Sequence, residues 1–185
     1  MAWFRRSADR EPLAVTMAAV KLGERFLAVG LGDTALVAAL AAKAGLTGRA
    51  CGVDADAHRA TRAAAGIERA GALAEVTQAP WDHLPYESGS FDVAVVFGIL
   101  MTLDDPARSG AAAELLRVLR PGGRTLIIEP SPRSGIGALL HKPQTATDYV
   151  SSGGALTALS RGGFAAVREL AERDGLRYVE GIKKG

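Results

Sequence analysis

Two glycines and one aspartate have the residue types and spacing of a site for a nucleoside that carries an anionic group. Gly30 and Gly32 follow an apolar run, residues 26–29, and allow the backbone to turn sharply and approach a ligand. The alanine-rich segment after them is a predicted helix, whose first N–H groups and positive dipole end suit a phosphate or a carboxylate. Asp54 lies 22 positions after Gly32 (54 − 32), where a carboxylate can accept hydrogen bonds from both ribose hydroxyls.

The glycine segment leaves two ligand classes open. Residues 30–35 match the dinucleotide pattern G-x-G-x-x-G/A, which holds a pyrophosphate at a helix N-terminus. The same residues equally fit the shorter glycine turn of a site for S-adenosylmethionine (SAM). A nicotinamide dinucleotide and SAM are therefore both compatible with this segment alone.

The elements that must position these residues are strands and helices in alternation. Strands are predicted over residues 25–30, 49–54, 74–79, 91–97 and 124–129, and helices over residues 34–44, 56–70 and 106–119. Asp56 and Asp105 are the predicted N-caps of the second and third helices. Alternation of this kind, with strands that are apolar throughout, predicts a doubly wound α/β fold whose parallel sheet is covered on both faces. The carboxyl ends of the strands then bring residues 30–34, 54–56, 79–83 and 97–102 to one edge of the sheet.

The last third of the chain has a less regular pattern. Residues 131–152 read as a loop with a short helix, and are a possible lid over the site. Residues 155–161 are predicted to be helical, whereas periodicity alone does not decide between helix and strand for residues 164–172. Asp174 and Gly175 predict a hairpin turn, followed by an edge strand over residues 176–182.

Composition places the chain among globular proteins. Its 185 residues are 48% apolar and 23% charged, which predicts a single domain over residues 1–185, with residues 1–12 flexible. The net charge of only +2 gives no sign of a nucleic-acid partner. No apolar run reaches the roughly 18 residues that span a membrane. Trp3 and Phe4, beside two arginines, allow at most a weak peripheral contact with a membrane surface.

The cysteine and histidine content bounds the chemistry further. Cys51 is the only cysteine, so neither an internal disulfide nor a cysteine-based metal site is expected. The three histidines lie in separate segments without ligand spacing, and no metal site is predicted. The chain does not begin with a recognisable signal peptide, and a cytoplasmic location is the expectation.

From about residue 21 to residue 182 the chain resembles the class I SAM-dependent methyltransferases, especially the group that contains quinone-biosynthesis and other small-molecule methyltransferases. The segments that carry the resemblance are residues 26–32, 52–54, 84–93, 117–123 and 163–164. Residues 117–123, Arg-Val-Leu-Arg-Pro-Gly-Gly, are the most specific of them, and are predicted to be a helix end followed by a Pro-Gly-Gly turn before the next strand. The resemblance implies a Rossmann-like sheet of seven strands, mostly parallel with a terminal antiparallel hairpin, and makes residues 164–172 a strand.

The resemblance also implies a set of cofactor-binding residues for SAM. Gly30, Leu31 and Gly32 would line its methionine part, and Asp54 would bind the ribose hydroxyls. The adenine would lie beside Ala55, Pro80 and Trp81, and the sulfonium end beside Phe97 and Gly98. A small molecule is the expected methyl acceptor.

This chain departs from the family pattern at three positions. Ala28 stands where the family usually has an acid that orients the ammonium group of the ligand, with Asp33 as a candidate substitute. Thr34 replaces the third glycine of the turn, and Pro80 replaces an acid near the adenine. These departures leave open a catalytically weak or inactive protein of the same fold that serves as a binding or scaffold subunit. An NAD-dependent oxidoreductase is a further, less favoured alternative.

No catalytic signature stands out, as expected for a reaction in which the protein mainly has to align two reactants. His83, His141 and Tyr149 are the candidates for a direct role near the acceptor. His83 follows the third predicted strand, and the other two lie in the possible lid.

Overall fold

Seven strands form one mixed sheet in the computed structural model, which describes residues 12–131 and 144–185. The strands are β1 (Arg25–Val29), β2 (Arg49–Asp54), β3 (Glu75–Gln78), β4 (Phe91–Phe97), β5 (Leu119–Pro130), β6 (Ala165–Arg173) and β7 (Leu176–Ile182). Their order is β3-β2-β1-β4-β5-β7-β6, and only β7 runs antiparallel to its neighbours. The predicted fold class, α/β with a mostly parallel, Rossmann-like sheet and a terminal antiparallel hairpin, is confirmed.

Helices cover both faces of this sheet. They are α1 (Leu13–Ala18), α2 (Thr34–Ala44), α3 (Ala57–Arg69), α4 (Asp105–Val118), α5 (Gln144–Ser151) and α6 (Gly154–Arg161). Helices α1, α2 and α3 pack in one apolar core with Phe26 and Ala28 of β1, and α4, α5 and α6 pack in a second with Leu27 and Val29. Successive side chains of a strand point to opposite faces, so a strand buried on both faces is apolar at every position. No helix in the described part of the chain is long and apolar enough to cross a membrane.

The helix that follows β4 begins one residue earlier than the sequence suggested. Asp104, not Asp105, is the N-cap of α4: its carboxylate accepts a hydrogen bond from the N–H of Ala107 at 2.9 Å. Asp104 has the extended backbone of an N-cap, whereas Asp105 is already helical and pairs with Arg108 instead. The prediction that Asp56 caps α3 is confirmed by its bond from the N–H of Arg59 at 2.9 Å.

The Pro-Gly-Gly segment is part of β5 and not a turn before it. Phe91 of β4 pairs with Leu119 of β5, and Val93 of β4 pairs with Arg124 of β5. One residue of β4 between these pairs is therefore opposite four residues of β5. The extra residues form a bulge, in which Gly122 has a φ of 72°. The bulge ends the crossover from α4 and brings the buried part of β5 into register with β4.

Residues 176–182 form the predicted strand, but the prediction that it lies at the edge of the sheet was wrong. Strand β7 lies between β5 and β6, and β6 forms the edge. The side chains agree with this order, since Tyr178 and Val179 of β7 are buried while most of β6 is partly or fully exposed. The turn prediction is confirmed: Asp174 and Gly175 have φ values of 54° and 76°, as a type I′ hairpin turn requires.

Candidate cofactor-binding site

The loops that follow β1, β2 and β3 are joined to one another by hydrogen bonds at the carboxyl edge of the sheet. The N–H of Gly30 donates to the carbonyl of Val53 at 2.9 Å, and the N–H of Leu31 donates to Oδ2 of Asp54 at 2.9 Å. The N–H of Ala79 donates to the carbonyl of Asp54 at 3.1 Å. Asp54 is therefore the residue that joins the three loops.

The loop after β4 packs against the glycine turn. Gly30 has a φ of 83°, and a Cβ built on it would lie 2.9 Å from Cγ2 of Ile99 and 3.1 Å from the carbonyl oxygen of Phe97. A side chain at this position would meet both conformational strain and a clash. Gly98, with a φ of 64°, donates its N–H to the carbonyl of Ile128 at 2.8 Å and so attaches this loop to β5.

Open space lies beside Gly32 and Gly98. A Cβ built on either glycine meets no heavy atom within 4 Å. The first N–H groups of α2, which no intrahelical bond uses, lie directly after Gly32. Asp33 is the N-cap of α2 and accepts a hydrogen bond from the N–H of Leu36 at 3.0 Å, so one of its carboxylate oxygens already has a partner. Ala28 is fully buried in the core below the turn.

Asp54 has the most completely bonded carboxylate of the loops just described. Its side chain is 2% exposed. Besides the N–H of Leu31, it accepts the N–H of Asp56 at 2.9 Å on Oδ1. The guanidinium of Arg59, on α3, donates to it from Nε at 3.0 and 3.2 Å, and Nη2 lies 3.0 Å from Oδ1 as an ion pair. Bonds to Asp54 hold the pKa of Arg59 above its usual value.

The residues expected around an adenine lie next to Asp54. The carbonyl of Ala55 accepts a hydrogen bond from Nε2 of Gln78 at 3.1 Å, which fixes the loop after β2 against β3. Pro80 is exposed, and Trp81 is half-buried against the core on the α4 side of the sheet. The structure thus brings all ten sequence-predicted cofactor residues to the loops at one edge of the sheet.

The catalytic candidates are placed less uniformly. His83 is exposed and lines a shallow surface cavity with Glu114 and Arg117, which belong to the second half of α4. Tyr149 is 1% exposed, and its hydroxyl donates to Oε2 of Glu129. Burial, followed by the charge of Glu129, raises the pKa of Tyr149 well above its usual value. His141 lies outside the described residues, as do residues 132–143 of the possible lid.

The sequence analysis did not predict a buried ionic network at the end of β5. Oε1 of Glu129 accepts Nε of Arg177 at 2.8 Å, while Arg108 lies over the ring of Tyr149, with 4.7 Å from Cζ to the ring centroid. The network joins α4, α5, β5 and β7. Only Glu129 gave a local indication of this network in the sequence, because it is a charged residue directly after the apolar run 126–128. Asp54 has the same position at the end of β2. The two arginines lie 21 (129 − 108) and 48 (177 − 129) positions from Glu129, and no local pattern pairs them.

Comparison with known proteins decides between the two ligand classes. Residues 26–123 match the family model described as a methyltransferase domain. These residues are more than half of the chain and contain all but the first residue of β1, all of β2 to β4, the glycine turn and the Pro-Gly-Gly bulge.

The chain belongs to the class I SAM-dependent methyltransferase family.

Similar proteins include an uncharacterized 37.1 kDa protein in transposon TN4556 of Streptomyces fradiae, 37% identical over 108 residues, which are 58% of this chain and 30% of that protein. A ubiquinone/menaquinone biosynthesis C-methyltransferase, UbiE, of Ralstonia pickettii is 32% identical over 117 residues, which are 62% of this chain and 46% of that protein. The chain thus spans less than half the length of these relatives. The crystal structure of a SAM-dependent methyltransferase from Aquifex aeolicus superposes with a TM-score of 0.75 at 18% identity, over 92% of this chain and 87% of that one.

The strand order independently disfavours a dinucleotide-binding protein. A dinucleotide-binding Rossmann domain has the parallel order 3-2-1-4-5-6. The methyltransferase chain has β7 inserted antiparallel between β5 and β6, and the superposed Aquifex aeolicus structure shares this fold.

SAM, the cofactor of the family, fits the edge of the sheet at the glycine turn. Gly32 and Gly98 border open space, and the N-terminus of α2, the kind of site that binds a carboxylate, follows Gly32 directly. The carboxylate of Asp54 lies at the tip of β2, the position that the resemblance assigns to ribose recognition. Around this loop cluster, and throughout the described residues, no group of three or more His, Cys, Asp or Glu side chains is arranged to hold a metal ion.

Proposed function

We propose that this protein catalyses SAM-dependent methyl transfer to a small-molecule acceptor. The observation that carries the proposal is the loop cluster in which Gly32 borders open space while Asp54 joins the loops after β1, β2 and β3. Family membership supports the same activity.

Each part of the ligand has proposed contacts. Gly30, Leu31 and Gly32 approach the methionine part through main-chain atoms, and the α2 N-terminus binds its carboxylate. Asp54 accepts hydrogen bonds from the ribose, and Ala55, Pro80 and Trp81 border the adenine. Phe97 and Gly98 border the sulfonium. Asp33 keeps its role as helix cap and presents its second carboxylate oxygen to the ammonium group.

The chemistry places few demands on the protein. SAM supplies an electrophilic methyl carbon. The residues of the chain have to hold the acceptor in line with that carbon, and positioning of this kind contributes roughly 7–11 kcal/mol to catalysis. Burial and the charge of Glu129 keep Tyr149 protonated at neutral pH, so it acts as a positioning residue and not as a base. A base at His83 or His141 is needed only where the acceptor must lose a proton.

A small-molecule acceptor is favoured by the Ralstonia relative, whose name places it in quinone biosynthesis as a C-methyltransferase. We propose that the segment 131–152 covers the part of the site where the methyl acceptor binds. Its second half contains α5, which packs against the turn after β4 and is attached to β5 through Tyr149 and Glu129.

A non-catalytic binding protein is the second candidate. Ala28 is fully buried and provides no acid beside the glycine turn, and the ribose-binding carboxylate of Asp54 is paired with Arg59. Both features reduce affinity for SAM without affecting the fold.

Thermal unfolding with three ligands distinguishes the candidates. A ligand that binds only the native state raises the melting temperature, by an amount that grows with the ratio of ligand concentration to Kd. We expect SAM and its demethylated product, S-adenosylhomocysteine, to raise the melting temperature and NAD to leave it unchanged. No shift with millimolar SAM would support the non-catalytic candidate, and a shift with NAD alone would overturn the assignment of the cofactor.

A further inference from the structure

The Asp54 carboxylate has no hydrogen-bonding capacity left for a ribose. A carboxylate offers about four lone-pair positions. Four hydrogen bonds already reach this one: the amide of Leu31 donates to Oδ2, the amide of Asp56 donates to Oδ1, and Nε of Arg59 donates to both oxygens. Two ribose hydroxyls can be accepted only after some of these donors leave.

The two amide donors are fixed in place. The N–H of Leu31 belongs to the turn whose neighbour Gly30 is bonded to Val53, and the N–H of Asp56 belongs to the residue that caps α3. Arg59 is different. Its side chain is 45% exposed, whereas that of Asp54 is 2% exposed, so the guanidinium covers the carboxylate from the solvent side.

We infer that Arg59 competes with the ribose of the cofactor for the Asp54 carboxylate and must swing away before an adenosyl ligand is bound. This inference rests on the proposed function, because it concerns the same site. Arg59 can leave without losing every partner, since Nη1 lies 3.6 Å from Oδ2 of Asp56, an exposed carboxylate one turn of backbone away. This exchange of partners makes Arg59 a residue that determines the affinity of the chain for an adenosyl ligand.

Substitution of Arg59 by methionine tests the competition. Methionine keeps most of the unbranched apolar stem and removes the guanidinium, so Arg59→Met is expected to bind S-adenosylhomocysteine roughly three- to tenfold more tightly than the wild type. S-adenosylhomocysteine is a better probe than SAM because it carries no net charge. A change in the charge of the protein therefore has little long-range effect on its binding. Arg62→Met is the matched control: Arg62 is on the same helix, is exposed, and should leave the affinity unchanged.

A purely structural role for Arg59 makes the opposite prediction. Loss of the ion pair would then lower the melting temperature of the free protein and weaken binding together. The competition model predicts tighter binding whatever happens to the melting temperature. Arg59→Lys, which retains a charge but not the Nε donor and the planar guanidinium, is expected to show an intermediate affinity and serves if the methionine variant does not fold.

Calorimetric titration of the wild type and the three variants with S-adenosylhomocysteine gives the outcome. Tighter binding by Arg59→Met, with no change in Arg62→Met, supports the inference. Equal or weaker binding by Arg59→Met, with clear binding by the wild type, overturns the inference and leaves the proposed function standing. No binding by any of the four proteins contradicts the proposed function and removes the inference with it.

Discussion

Asp92 lies at the amino edge of the sheet, opposite the proposed cofactor site, and holds two arginines. Its Oδ2 accepts the N–H of Arg25 at 2.8 Å and Nε of the same residue at 3.1 Å, and Arg120 pairs with Oδ1. Burial alone would raise the pKa of Asp92, but these bonds lower it to about 2. The side chain is 13% exposed, so solvent screens the pairs only in part.

Asp92→Asn is expected to lower the free energy of unfolding at pH 7 by on the order of 2 kcal/mol. The folded pKa lies below the unfolded value of about 3.9. The stabilisation is therefore complete above about pH 5 and is lost as the pH falls toward 2. Urea unfolding at several pH values should show the wild type and the variant converging as the medium becomes acidic.

The control for this prediction is Glu75→Gln, which removes an exposed ion pair with Arg49. The Glu75 side chain is 64% exposed, and such pairs contribute less than about 1 kcal/mol. A gap between the wild type and Asp92→Asn that stays constant from pH 7 to pH 2 would contradict the assignment of the low pKa to Asp92.

Sequence patterns could assign Gly30, Gly32 and Asp54 to the carboxyl ends of strands, because strand, turn and helix follow one another locally. Their partners were not predictable. Arg59 reaches Asp54 only because α3 begins at Ala57 and its first turn points Arg59 back at the end of β2. A shift of one residue in the start of the helix would turn this side chain away by about 100°, and sequence patterns do not fix helix ends to that accuracy.

At the scale of elements, the departure at Thr34 is matched by a glycine on the neighbouring helix. Thr34, the first residue of α2, stands where the family has a glycine. A Cβ built on Gly66 of α3 would lie 2.5 Å from Cγ2 of Thr34. Gly66 therefore provides the room that the methyl group of Thr34 needs where α2 and α3 meet.

Gly66→Ala is accordingly expected to lower the melting temperature in the wild-type background. In a Thr34→Ser background the methyl group is absent, and the same substitution should raise it, because alanine is favoured over glycine inside a helix by roughly 1 kcal/mol. Thermal unfolding of the four proteins measures the coupling. An equal effect of Gly66→Ala in both backgrounds would show that the two side chains do not interact.

The bounds of several elements followed from the sequence, and their spatial order followed only in part. Residues 34–44, 49–54, 91–97 and 176–182 form the predicted helix and strands, because capping residues and turn residues mark their ends. Strand β7 was placed at the edge because a hairpin turn fixes which strands pair but not which of the two inserts against β5. The bulge at Gly122 was missed because Pro-Gly-Gly has the composition of a turn.

At the scale of the whole molecule, the amino ends of the strands carry a stabilising ion-pair cluster, and their carboxyl ends carry the proposed ligand site. Asp92 and its arginines stabilise the amino edge, where side chains can be fully paired. At the carboxyl edge, the turn of Gly32 borders open space and Asp54 is paired with Arg59, which we propose is displaced by a ribose. Parallel α/β sheets bind ligands at the carboxyl edge because the loops diverge there at the point where the strand order reverses.

Gly32 offers a way to block the proposed site without disturbing the fold. A Cβ built there meets no heavy atom within 4 Å, and its backbone φ lies outside the left-handed region that favours glycine. Gly32→Val should therefore unfold at the same temperature as the wild type, while its side chain occupies the space assigned to the methionine part of SAM. Gly32→Ala, with a smaller side chain, should have an intermediate effect on binding.

Calorimetric titration of SAM into the wild type and Gly32→Val is the most direct measurement of whether the cofactor lies beside this turn. We predict one saturable site per wild-type chain and its loss in Gly32→Val, with Gly32→Ala between them and all three proteins equally stable. Undiminished binding by a folded Gly32→Val protein, or no binding by the wild type, would contradict the account.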